Sequence, residues 1–293
     1  MVMTESTITG SPAMLASIAH PATATDLPVA SQLAARGFAV LPNLLTAEQV
    51  AACNRRFAHY AAIAGDQSTA DGYGSGLHSV PIPGLPGACL QFEPGFSPAG
   101  KDAAQRELGV RKFFQFAQSD QFFWDLLHTP AISGVIETVL GAGPQLLQSL
   151  ALVKPPEIGI PKDWHQDTPY FPITPVTETV GLWIALDNAT LENGCMQAVP
   201  GSNRDGPVPH VQGPTGWKLD ADASARAHAA AVALPMPSGS ALLFDANLMH
   251  FTDANRSTMR RRAVQFHFSS ARTRASGALK LTPLAPAAAP WAE

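Results

Sequence analysis

The chain has 293 residues, 46% of them hydrophobic and 14% charged, with a formal net charge of −4. That balance supplies enough apolar surface for a substantial core in a soluble globular protein and gives no electrostatic basis for nucleic acid or an anionic membrane as partner. No run reaches the roughly 18 apolar residues of a membrane-spanning helix, and Cys53, Cys89 and Cys195, in no metal-type spacing, fit free thiols in a reducing cytoplasm.

The length suits one β-sandwich or barrel enzyme domain. Its expected bounds are 27–275, between a Ser/Thr/Ala/Pro-rich disordered tail over 1–26, without the basic and apolar regions of a signal peptide, and a Pro/Ala-rich tail over 276–293. Phe38 to Leu41 has the composition of a short strand. Thr46 and Gln49 form a Thr-x-x-Gln capping box, opening a helix in which Val50, Cys53, Phe57 and Tyr60 recur at three- and four-residue steps, with Gly65 as a stop. The Gly/Pro-dense stretch 66–100 reads as a lid or pocket wall. Helices are expected over Ser119–Leu127 and over Pro130–Leu140, the latter with Thr129 as cap, Pro130 at the first helical position and Gly141 at the end.

Gln145–Lys154 has the length and two partly apolar faces of an inner strand, with Leu147, Ser149, Ala151 and Val153 expected together on one face. Beyond it, short apolar segments alternate with turn clusters, which suggests a jelly roll. The fold expected is mainly β with flanking helices: a double-stranded β-helix (jelly roll, cupin-like) core carrying an N-terminal α-helical layer.

One stretch organises the chemistry, Trp164-His165-Gln166-Asp167-Thr168-Pro169-Tyr170-Phe171-Pro172. In an extended strand His165 and Asp167 share a face and Gln166 turns away. An imidazole and a carboxylate, joined by a distal histidine, make the facial triad of non-haem Fe(II) oxygenases, with neighbouring metal positions left open. His250, closing the strand-like segment Ser238–His250, is the candidate third ligand. Further on, Arg256 belongs to a turn, and alternation through Arg261, Ala263, Gln265 and His267 places these four on one face of a last strand, with Arg260 and Arg262 on the other.

The segments WHQDTPYFP, GLWIAL, ENGCMQAVPGS, SGSALLFDANLMH and NRSTMRRRAVQFHF resemble the phytanoyl-CoA dioxygenase (PhyH-like) family of Fe(II)/2-oxoglutarate oxygenases over roughly Phe38 to Phe268. The resemblance implies that His165, Asp167 and His250 hold Fe(II) and are the catalytic set, with 2-oxoglutarate and O2 as cosubstrates. It further implies that Arg261 binds the far carboxylate of 2-oxoglutarate, a role that suits a guanidinium fork; a register slip of one would give that role to Arg262. Trp183 and Leu147 match cosubstrate-pocket positions, Trp183 being otherwise a core aromatic, and Gln166 lies within amide reach. His267 could approach the pocket from its strand or be a satisfied core histidine, and His210 lies in a Pro-rich loop. Where the family often carries a histidine, this chain has Asn203.

The retained Asp167 argues against the halogenase variant, in which a small residue replaces the carboxylate. The implied activity is hydroxylation, or a related oxidation, of an unactivated carbon in a small, largely apolar molecule, with release of succinate and CO2. A cupin-like metal-binding isomerase or ligand-binding module is the alternative, and it would not need Arg261. Loops 66–100 and 203–233 are expected to decide the substrate.

Overall fold

The computed structural model describes residues 27–64 and 79–284; the expected tail over 1–26, the Gly65 stop and residues 285–293 lie outside them. In chain order the helices are α1 (Val29–Arg36), α2 (Ala47–Ile63), α3 (Ala103–Glu107), α4 (Gln121–Leu127), α5 (Pro130–Leu140) and α6 (Ala221–Ala230). The strands are β1 (Phe38–Leu41), β2 (Val80–Pro81), β3 (Cys89–Phe92), β4 (Val110–Phe114), β5 (Gln145–Lys154), β6 (Lys162–His165), β7 (Ile173–Thr174), β8 (Thr179–Ala185), β9 (Met196–Ala198), β10 (Val211–Gly213), β11 (Gly216–Lys218), β12 (Val232–Leu234), β13 (Ala241–Asp245), β14 (His250–Thr252), β15 (Arg261–Ser269), β16 (Arg274–Ala275) and β17 (Thr282–Pro283).

A large antiparallel sheet runs β1-β13-β8-β15-β5-β4-β3-β2, with β17 pairing β5, and it faces a small sheet, β12-β9-β14-β6. This is the jelly-roll sandwich, in which the inner faces of two sheets enclose the site. The large sheet's outer face is covered by helices. In α2 the capping box forms as the sequence implies, Thr46 accepting from the Gln49 amide and Gln49 returning the bond, and Val50, Cys53, Phe57 and Tyr60 are buried. Phe57 packs against Phe113, Phe116 and Phe123 with ring centroids 5.0–5.2 Å apart. Truncating such a ring costs about 3–5 kcal/mol. Asp120 caps α4, and Pro130 opens α5, although Thr129 spends its hydroxyl on the Leu126 carbonyl rather than on a cap.

Two expectations are corrected. The stretch 66–100, read as a lid or pocket wall in loop form, is sheet over its described part: β2 and β3 extend the large sheet, and Cys89 backs Phe114 and Leu150. In β5 the register slips where Leu146 and Gln148 face Phe268 and His267 in turn, leaving Leu147 without an opposite residue. That bulge changes the face of what precedes it, so Leu146 joins the helix-side core with Ala151 and Val153, while Leu147 packs with Phe171 and Ile173. At the C-terminal end, β17 docks on β5, and the Leu284 carbonyl contacts His128 Nε2 at 2.7 Å.

The outer side of the small sheet is closed by α6 and by Trp164, whose ring stacks on Phe251 at 5.3 Å. Between the sheets, Gly181 makes room for one ring: a Cβ there would sit 2.3 Å from Phe244. The Phe244 ring thereby reaches His250, with centroids 5.1 Å apart.

Candidate metal centre and cosubstrate cavity

β6 ends at His165 and β14 begins at His250, and the two strands pair with these residues directly opposite. Cross-strand pairing brings the imidazoles together from distant parts of the chain, with ring centroids 4.1 Å apart. Asp167 arrives differently from the extended geometry expected for it. With φ −81° and ψ −24° it leads into the 3-10 turn Thr168–Tyr170, where Pro169 favours the turn. The amides of Asp167 and Thr168 both donate to the Ala246 carbonyl, at 2.9 and 3.2 Å, so the chain bends against the end of β13.

The bend still delivers the carboxylate to the imidazoles. Asp167 Oδ1 lies 3.4 Å from His165 Nε2 and 3.8 Å from His250 Nε2, and the three ligand atoms lie within 4.8 Å of one another. Each imidazole donates its Nδ1–H to a backbone carbonyl, His165 to Asp163 at 2.7 Å and His250 to Leu248 at 2.9 Å, which leaves the Nε2 lone pair for a metal. Burial lowers the basicity of both histidines and keeps them in the neutral form that ligates. For Asp167, burial opposes ionisation, but His250 and His267 nearby outweigh it and hold the carboxyl well below the usual carboxylate range. The free oxygen, Oδ2, meets His267 Nε2 at 2.7 Å and Gln265 Nε2 at 3.4 Å.

These groups open on a cavity of about 880 Å³, counting its mouth. Arg261 stands in its wall, 2% exposed. Its Nη1 donates to the Leu152 carbonyl at 3.1 Å, its guanidinium lies 5.6 Å from the Trp183 ring centroid, and its Nε, like Trp183 Nε1, is buried without a partner. Arg261 pairs in register with Lys154 across β15 and β5, a like-charge opposition that destabilises a ladder. Burial lowers Arg261 to about 10, and burial followed by Arg261 and Arg111 pulls Lys154 well below its ordinary value. A buried guanidinium with an unspent Nε donor is suited to receive an anion.

The donor set therefore fits both groups. Two imidazoles and a carboxylate on one side of an ion suit Fe(II), and the Arg261 end suits the far carboxylate of 2-oxoglutarate. Arg262 forks instead onto the Asp187 carboxylate, at 2.8 and 2.9 Å, Arg260 pairs with Glu107, and Arg256 with Asp253.

Of the residues singled out in the sequence, His165, Asp167, His250, Arg261 and Trp183 line the one cavity, whereas Leu147 and Gln166 do not. The Gln166 side chain is spent on Gly206 O, Asn247 O and the Val208 amide, and its backbone amide donates to His210 Nε2 at 2.9 Å. His210 thus positions the strand end rather than the pocket. His267 does reach the metal corner, as its place on the Arg261 face allows. Arg111, Lys112, Lys154 and Lys162 also line the cavity, and no motif in the sequence points to them.

An antiparallel sandwich with a His-Asp-His triad beside a buried arginine defines a non-haem iron, 2-oxoglutarate type of protein. The family model for phytanoyl-CoA dioxygenase (PhyH) matches residues 33–263, and the chain belongs to that family. A phytanoyl-CoA dioxygenase of Arabidopsis thaliana is 29% identical over 177 residues, 60% of this chain and 62% of that protein, so the match spans just over three fifths of the relative. Among solved structures, the α-ketoglutarate-dependent epimerase SnoN of nogalamycin biosynthesis superposes with a TM-score of 0.61 at 17% identity, over 85% of this chain and 84% of that one. The carbocyclase SnoK of the same biosynthesis gives 0.60 at 22%, over 88% and 89%. These two likenesses establish the fold.

Proposed function

We propose that this protein is an Fe(II)/2-oxoglutarate-dependent dioxygenase that hydroxylates an unactivated carbon of a small molecule, with release of succinate and CO2. The observation that carries the reading is the buried, partner-poor Arg261 on the same cavity as the three converging ligand atoms, because a metal-binding isomerase or ligand-binding cupin has no use for that cation. When bound, the iron with 2-oxoglutarate and O2 supplies the oxidising power to remove hydrogen from such a carbon.

The chain's own residues do the rest. His165 and His250 offer Nε2 and Asp167 offers Oδ1, each fixed from behind by a hydrogen bond. Arg261 receives the far carboxylate of 2-oxoglutarate against Trp183. Phe114, Leu150, Leu152 and Phe171 in the wall exclude water and press the apolar part of the substrate toward the metal. Hydroxylation is favoured over halogenation by the retained carboxylate of Asp167. A role in secondary metabolism is supported by SnoN and SnoK, proteins of similar fold that act in nogalamycin biosynthesis.

The test is succinate formation from 2-oxoglutarate under air. The Fe(II)-loaded protein is expected to form it slowly without substrate and faster with one, and the H250A variant to form none. A wild-type protein that binds Fe(II) but never consumes 2-oxoglutarate would favour the cupin-like module.

A further inference from the structure

We propose that Lys162 seats a carboxylate of the substrate, so that the substrate is a small organic acid anchored by its anionic end while an apolar carbon faces the metal. This rests on the reading of the site as an Fe(II)/2-oxoglutarate centre, and it begins from charge. Fe(II) with the Asp167 carboxylate carries one net positive charge, the two carboxylates of 2-oxoglutarate turn that to one negative, and Arg261 restores neutrality. Arg111 is matched by Glu93 at 3.0 Å, and Lys154, drawn well below its ordinary basicity by burial, gives its hydrogen bonds to the Ile160 and Thr252 carbonyls. Lys162 still lines the cavity, and none of the ion pairs among the described residues includes it.

The Lys162 ammonium donates to Tyr170 Oη at 2.7 Å and to the Trp217 carbonyl at 3.1 Å, both neutral acceptors, which leaves a third N–H unspent. Taking a half-buried ammonium out of water costs desolvation, which the charges of Asp167 and Asp163 offset in part. Burial brings Lys162 down to about 8, while Asp167 and Asp163 favour its charged form.

Its surroundings are prearranged. The β10–β11 hairpin, whose Thr215 joins the cavity wall, is tied at the Trp217 carbonyl by both Lys162 and Tyr170. Gly216, with φ +119°, permits the approach, since a Cβ there would lie 2.5 Å from Tyr170 Oη. Lys162 precedes His165 by three residues on β6, roughly 10 Å along the strand. An anion held there fixes the substrate at a set distance from the triad.

The experiment uses the full chain loaded anaerobically with Fe(II) and 2-oxoglutarate and titrated with 3-phenylpropanoate or its uncharged match, 3-phenylpropanamide, with affinity read by calorimetry. The acid is expected to bind about tenfold or more tighter than the amide, the margin of one charge-assisted hydrogen bond. K162M should lose that margin, and K162R should keep most of it. Equal affinities in the wild type, binding of neither compound at millimolar concentration, or an unchanged margin in K162M would overturn the proposal. So would a K162M protein whose affinity for 2-oxoglutarate falls instead, since Lys162 would then serve the cosubstrate. If the wild type takes up no 2-oxoglutarate at all, the underlying reading of the site fails first, and visibly so.

Discussion

The two sheets contribute to the cavity in opposite ways. On the small sheet and the turn beyond it, every metal-facing side chain has its rear atom engaged: His165 Nδ1 on Asp163, His250 Nδ1 on Leu248, Asp167 Oδ2 on His267. On the large sheet Arg261 faces the same space short of partners, keeping a buried Nε without an acceptor opposite a lysine of like charge. The metal corner is complete within the chain and needs only an ion. The cosubstrate end is completed by its ligand, so part of its stability depends on an anion arriving.

That contrast can be broken at the metal corner first, where the largest effect is expected. H165A, D167A or H250A should abolish Fe(II) binding and turnover with the fold retained, as metal titration and circular dichroism would show. Removing a ligand takes away a coordination bond, whereas the hydrogen bonds behind it survive for the other two. At the other end, R261A should weaken 2-oxoglutarate by roughly 10- to 150-fold, the loss of hydrogen bonds from a charged donor, and leave Fe(II) affinity nearly intact; a Kd series for each would separate the two. An R261A protein that lost iron instead would mean that the two ends are not independent.

A smaller effect tests the support behind the ligands. H267A should cost about 10- to 100-fold in metal affinity or activity, typical of a residue that orients a ligand rather than binding the ion, and H267Q should recover part of it by donating from an amide. Fe(II) titration of both variants checks this, and an H267A protein with wild-type affinity would make His267 a packing residue. Smallest of all, R262A should change 2-oxoglutarate affinity by less than twofold while lowering stability by up to about 1 kcal/mol, because its fork on Asp187 is a partly exposed ion pair. A thermal melt beside the Kd measures both.

The legible parts of this molecule were those in which the signal is local. The Thr46–Gln49 capping box, the stripe of α2 and the Pro130 start of α5 are written within a few residues of where they act. Alternation along β15 separates Arg261 and His267 from Arg262, and the ladder keeps that separation. What stayed hidden depends on distant partners. The bulge at Leu147 exists because β15 slips against β5, and nothing in QLLQSLALVK announces it. Strands as short as β2 and β3 have too little length for a period, so 79–100 reads as a loop. Asp167 leaves the extended path because its amide finds the Ala246 carbonyl, a residue far along the chain. Lys162 and Arg111 become cavity residues only once β4, β6 and the hairpin over them are assembled.

The central claim is that a metal corner complete in itself and an anion-seeking arginine share one cavity. Anaerobic titration of the protein with Fe(II) and then with 2-oxoglutarate, followed in the visible range, tests it most directly. The account predicts that a metal-to-ligand charge-transfer band grows in with one equivalent of 2-oxoglutarate, is absent in D167A, and needs far higher 2-oxoglutarate in R261A. A folded, iron-loaded wild-type protein that shows no band at saturating 2-oxoglutarate would contradict it.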